Sequence, residues 1–356
     1  MTQNIASSAP FHEAPAAELD TGWVRLWAGT LNDPRDIVFI NLSLQMTASL
    51  LPMAICLFAV NSFSWWWAAG YWVFLFAAFL DRFILMLHCT SHRPLFNRKF
   101  RVLNNYIPWV LGPLIGETPE AYFVHHMGMH HKEGNLMGDL SSTMRFQRDK
   151  FRHWLRYWSR FMTIGLGELF SYHAKKGRSK MVRRLAIGEG SFWLVCFLLG
   201  AFVSLQATLV VLVIPVVVVR TLMMAGNWGQ HAFVDPDEPA NDFKSSITCI
   251  NSRYNRRCFN DGYHIIHHLK PSLHYTEMAD EFDKQRALYG KQDAIVFEGE
   301  DFFSVWLWLM LGRKKHLAKK FVHLPGAPQR TEQEIIELFD RRLRPFDAQG
   351  CPIPAV

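Results

Sequence analysis

No two of the six cysteines are spaced C-x-x-C. Cys56, Cys89, Cys196, Cys249, Cys258 and Cys351 are scattered, and Cys56 and Cys196 fall inside apolar blocks. This excludes a zinc ribbon and speaks against a disulfide framework, so the thiols read as reduced and structural. The opening stretch, MTQNIASSAPFHEAPAAELD, has no apolar core. It is not a secretory signal, and residues 1–33 are expected to form a polar cytosolic tail. Internal repeats and low-complexity segments are also missing. Charge is absent from one long stretch altogether: residues 37–60, IVFINLSLQMTASLLPMAICLFAV, carry none.

That stretch is the first of four apolar blocks. The second is SWWWAAGYWVFLFAAFL from Ser64, the third GSFWLVCFLLGAFVSL from Gly190, and the fourth TLVVLVIPVVVV from Thr208. A bilayer core of about 30 Å takes ~20 helical residues. Extended by their flanks, the blocks predict membrane helices over about 37–60, 64–87, 188–206 and 208–226. The β-branched run of the fourth also suits a buried strand, but its pairing with the third favours a helical hairpin. The expected fold is therefore all-α and integral to the membrane, with two hairpins beneath a helical cap. Three shorter apolar stretches, Tyr106–Gly116, Phe151–Met162 and Phe302–Gly312, suit either the membrane interface or the core of that cap.

The connections Asn61–Phe63 and Gln206–Ala207 contain no Lys or Arg. The segment between the hairpins is crowded with them, from Arg93, Arg98, Lys99 and Arg101 to Lys180, Arg183 and Arg184. The positive-inside rule places that segment and both termini in the cytosol. It also accounts for much of the formal charge of +7, so no nucleic-acid partner is called for.

The chain has 16 histidines, enough for one H-x-x-x-H pair to arise by chance. It has four clusters. HCTSH supplies His88 and His92; HMGMHH supplies His126, His130 and His131; NWGQH supplies Asn227 and His231; HIIHH supplies His264, His267 and His268. All four fall on the predicted cytosolic side. On a helix, residues i and i+4 share a face, with Cβ atoms ~6 Å apart, so two imidazoles there grip one ion. The side chains of an HH doublet diverge by ~100°, so one doublet serves two ions. Around nine imidazoles exceed the needs of one tetrahedral zinc and suit two ions with four or five nitrogens each. Imidazole alone does not name the metal. His125 precedes the i, i+4, i+5 pattern that starts at His126 and is left outside the ligand set. His125, Asp261, Tyr263 and His274 are candidates for hydrogen bonds behind the ligands. His153, His173, His316 and His323 stand alone and read as surface residues.

These boxes, with NDGYHIIHH at Asn260–His268, resemble the membrane fatty acid desaturase superfamily. The resemblance spans roughly Pro34–Met278. It implies four membrane helices under a cytosolic cap holding two irons, with O2 as co-substrate, in an oxidase domain of residues 34–325 followed by a C-terminal tail, 326–356. It implies ligands at His88, His92, His126, His130, His131, His231, His264, His267 and His268, with Asn227 contributing through a water. The second box, with three residues before its HH doublet, is a less common variant. HLPGA at His323 differs from a haem-binding H-P-G-G, so a fused cytochrome b5 is not expected. Electrons are expected from a separate ferredoxin or cytochrome b5 and its reductase, attracted to a basic surface. Arg253, Arg256 and Arg257 are placed to contact a substrate head group.

The implied activity is O2-dependent oxidation of an unactivated C–H bond in a fatty acyl chain, with desaturation first. Oxidative decarboxylation of a free fatty acid to a 1-alkene uses the same framework, and fatty hydroxylation is third. A non-catalytic membrane metal-binding protein is the reading from another class. Transport fits poorly, because blocks one, three and four carry almost no polar groups at mid-membrane.

Overall fold

The computed structural model describes residues 18–59, 63–347, 350, 351 and 353. Most of the expected tail (1–17) and of the first connection (60–62) thus lies outside the described residues. Among the described residues four helices are long and apolar enough to cross a membrane: α1 (Pro34–Ala59), α2 (Trp65–His92), and, after α3 (Phe151–Thr163) and α4 (Gly165–Lys175), α5 (Ser179–Phe202) and α6 (Leu205–Gln230). At 24–28 residues each runs roughly 36–42 Å, more than a bilayer core requires. Their outward faces are apolar and bare. Trp65, Trp66 and Trp67 are 62%, 88% and 71% exposed, as in the aromatic belt at a membrane interface.

The helices outlast their apolar blocks. α2 continues from the expected end near 87 to His92, α6 continues to Gln230, and α5 begins at Ser179 rather than near 188. Hydropathy falls where polar residues begin, but the backbone ladder does not, so His88 and His92 ride on a membrane helix. Between α2 and α3, Tyr106–Gly116 packs inward, with Ile107, Leu111 and Ile115 buried. Gly116 (φ 106°) ends this segment against α6, where a Cβ would lie 2.2 Å from the Pro215 carbonyl carbon; only glycine suits both the backbone and the space.

After α6 come β1 (Thr248–Ile250), α7 (His264–Leu269), α8 (Met278–Lys291), β2 (Val296–Glu298), α9 (Phe302–Met310) and α10 (Glu332–Arg342). β1 and β2 pair in parallel with Thr248 opposite Val296, a small sheet that an all-α expectation does not contain. α9 crosses α6 so closely that a Cβ on Gly229 would meet the Phe302 carbonyl oxygen at 2.1 Å. Phe302, Val305 and Leu309 are buried, so this stretch is largely a packed helix. α3 likewise buries Trp154 and Tyr157 against Met224 and Trp228 while leaving Phe151 exposed. α10 starts at a Thr331–Glu334 capping box and puts Ile335 and Phe339 into the same core as Phe233 and Phe297.

Candidate metal centre

The histidine side chains are positioned by four pieces of backbone. His88 and His92 lie one turn apart at the end of α2. His126 to His130 form a wide helical turn in which the His131 N–H bonds to the His126 carbonyl, five residues back. Such a turn holds one residue more than an α-turn, and it brings His126 and His131 to one side: their Nε2 atoms are 3.1 Å apart. His231 follows α6, and His264, His267 and His268 lie on α7.

Two groups result. The donor atoms of His88, His92, His126, His131 and His267 lie within 4.8 Å of one another, as do those of His130, His231 and His268. His264 adjoins the second group, its Nε2 3.1 Å from that of His268 and 3.4 Å from that of His231. Each doublet is divided, His131 and His267 to one group, His130 and His268 to the other. The i, i+4 expectation for His126 and His130 gives way to i, i+5, because the wide turn rotates His130 off that face.

The imidazoles are aimed from behind. His88 Nδ1 faces Asp261 Oδ1 at 3.2 Å, and Tyr254 donates to the other Asp261 oxygen at 2.7 Å. His130 Nδ1 meets Asp139 Oδ2 at 2.7 Å. His231 Nδ1 donates to the Ser245 carbonyl at 2.9 Å. With Nδ1 carrying the proton, the Nε2 lone pair points inward. Burial, and then the neighbouring imidazoles, push His126, His264, His267 and His268 well below the ordinary histidine range and His131 to about 3. The rings are therefore neutral. Burial would raise the Asp139 carboxyl; the facing His130, with the Ser141 donors, overturns that and holds it well below the usual range.

Converging lone pairs are costly unless a cation lies between them. In the larger group, contacts run His88–His267 3.0 Å, His267–His131 3.0 Å, His131–His126 3.1 Å and His126–His92 3.0 Å. Adjacent ligands of an octahedral ion with bonds of about 2.1 Å sit about 3.0 Å apart. The donor set thus fits a metal in spacing, and the rings that burial keeps neutral offer their lone pairs to it.

The other expected residues are placed as follows. Asn227 lies on α6 one turn before His231; its Nδ2 donates to the Ser141 carbonyl and the Tyr157 hydroxyl, at 3.0 and 2.7 Å, so its Oδ1 is the atom left to face a ligand. His125 is in neither group: its Nε2 is buried with no partner among the described residues, and its ring meets Phe161. Tyr263 caps α7 and packs on Phe282. His274 is bonded to Asp36, at 3.1 Å, and to Thr276, placing it in the ionic cluster at the start of α1 rather than behind a ligand. His173 is not a surface residue. It is 0% exposed, bonded to the Val124 carbonyl and pressed on Gly128, because its face of α4 turns inward. His153, His316 and His323 are half-buried and hydrogen-bonded. Sequence reasoning missed Asp139 and the Ser245 carbonyl. The only trace of Asp139 is the turn-forming DLSS after the second box.

A cavity of about 500 Å³ opens beside both groups, reaching His88, His126, His130 and His264 between apolar walls that include Leu80, Ile84 and Leu169. Arg253, Arg256 and Arg257 line a different cleft, with Arg82, beside α1. Arg257 pairs with Asp81 and donates to the Ala77 carbonyl at 2.7 Å.

A family model described as fatty acid desaturase matches residues 34–299. The chain belongs to the fatty acid desaturase family. No curated protein and no solved structure matches it. As a fatty acid desaturase family member with four apolar spanning helices, it is an integral membrane protein of an oxidoreductase family whose substrates are fatty acyl chains. Its two histidine groups have the donor atoms to hold a metal ion.

Proposed function

We propose that this desaturase-family protein is an O2-dependent di-iron oxidase that introduces a double bond into a fatty acyl chain. The observation that carries the reading is the division of the histidines into two groups opening on one apolar cavity. The ligands would be the nine histidines of the four boxes, with Asn227 through a water. In this reading residues 34–325 work as one unit, both termini and the metal centre face the cytosol, and a separate ferredoxin or cytochrome b5 delivers electrons to the basic surface.

When bound, a reduced metal pair supplies the electrons for cleaving O2 and the oxidising power to remove hydrogen from an unactivated C–H bond. The protein does the rest. Asp261, Asp139 and the Ser245 carbonyl hold Nδ1 protons so that Nε2 stays available. Leu80, Ile84, Leu85 and Leu169 exclude water and hold the chain against the histidines. Overall, R–CH2–CH2–R′, O2, two electrons and two protons give R–CH=CH–R′ and two waters.

A second reading, oxidative decarboxylation, draws on one observation: Arg220 is the sole Lys or Arg on the described cavity wall, a place for a free acid. It uses the same oxidant and electrons, and R–CH2–CH2–COOH yields R–CH=CH2, CO2 and two waters. The test is to supply the enzyme with ferredoxin, its reductase and palmitate, and to analyse headspace and extract together. A same-length enoic acid supports desaturation, a C15 terminal alkene replaces it with decarboxylation, and a hydroxy acid replaces it with hydroxylation. O2 consumption unaffected by substrate would sink the fatty-chain reading.

A further inference from the structure

Resting on that reading, we infer that Arg220 binds the carboxylate of a free fatty acid, so that the substrate is an unesterified acid rather than a thioester or a lipid ester. An arginine inside a membrane helix is costly and marks function by default. Arg220 lies in α6, about 10 Å along the helix from Asn227 at 1.5 Å per residue, and its side chain is 18% exposed, on the cavity.

The guanidinium is only partly engaged. Nη2 bonds Glu189 Oε1 at 2.8 Å and Thr118 Oγ1 at 2.9 Å. Nε and Nη1 make no hydrogen bond among the described residues. Both Glu189 oxygens are engaged, with Thr118 Oγ1 donating at 2.6 Å to the same oxygen and Trp193 Nε1 at 2.9 Å to the other. Glu189 therefore neutralises the arginine and fixes its plane, while the Nε and Nη1 N–H groups remain to donate. A carboxylate brings a full charge and two acceptor oxygens to these donors; a thioester or ester carbonyl has one acceptor and no charge.

A second feature lies on the same wall. Glu117 lines the cavity, is 5% exposed, and its Oε2 is buried with no partner among the described residues. A structural ion pair would gain nothing from an unsatisfied carboxyl beside it. Burial, eased by Arg220 and reinforced by Glu189, raises this group to about 7, so near neutrality its O–H is available to donate to a bound carboxylate. The arginines of the other cleft do not compete for this role, because Arg253, Arg256 and Arg257 line no part of the cavity that reaches the histidines.

The test is equilibrium binding of labelled palmitate, methyl palmitate and hexadecanol to the iron-loaded protein in nanodiscs. Wild type is expected to hold palmitate about 30-fold or more tighter than the ester, the effect of truncating a buried charge pair. Arg220→Gln should abolish that preference and leave ester binding unchanged. Because Arg220→Gln orphans Glu189, the double variant Arg220→Gln/Glu189→Gln is measured beside it, with iron content as the check on folding. Equal binding of acid and ester by wild type, or a preference for the acid that survives in the double variant, overturns the assignment of Arg220. Failure of all three probes to bind iron-loaded wild type overturns the fatty-chain reading itself.

Discussion

His130 and His131 are neighbours in sequence and serve different groups. His131 lies with His88, His92, His126 and His267, and His130 lies with His231 and His268. The wide turn between His126 and His131 produces this division.

Each half of a divided doublet should therefore cost one metal. His131→Ala is expected to bind about one iron per chain, as is His130→Ala. His88→Ala and His267→Ala should lose iron and activity together. His125→Ala and His153→Ala should retain both irons, since neither residue is in a group. Iron quantified per chain by mass spectrometry decides it; two irons retained in His131→Ala would refute the grouping.

Asp139→Asn should weaken the second metal by about 10–100-fold, the usual effect of losing a partner behind a ligand imidazole. The amide cannot hold the His130 proton as a carboxylate does. Competition with a graded chelator reads the change, and an unchanged chelation curve would remove Asp139 from the centre.

Gly128 sits in the wide turn, where an added Cβ would lie 2.9 Å from His173 Cε1. Gly128→Ala should displace His126 or His130 and lower the melting temperature, at a cost of about 1–3 kcal/mol. Adding His173→Ala should recover part of the loss in a double-mutant cycle. Strict additivity would show that the two residues do not touch.

Arg148 is fully buried and donates to the carbonyls of Ala232, Thr143, Met144, Phe146, Arg342 and Arg344. It ties the segment after the second box to the residue following His231 and to the end of α10. Arg148→Lys cannot span these acceptors and should destabilise by about 3 kcal/mol or more. A melting temperature within a degree of wild type would show that the carbonyls find other donors.

Composition and spacing were enough to locate four membrane helices and four histidine boxes, because burial in lipid and a shared helical face both leave periodic or continuous marks on neighbouring residues. The ends of α2, α5 and α6 were not legible, since hydrogen bonding continues where hydropathy stops. Nor could spacing foresee the exchange of His130 for His131, because no residue type here separates a wide turn from an α-turn; only the backbone bonds do. Asp139 folds back behind His130 from nine residues away, while His173 beneath Gly128 and Arg220 between Glu189 and the cavity join residues from separate parts of the chain. Only tertiary packing decides such pairs, since what makes each partner matter is the water removed from around it.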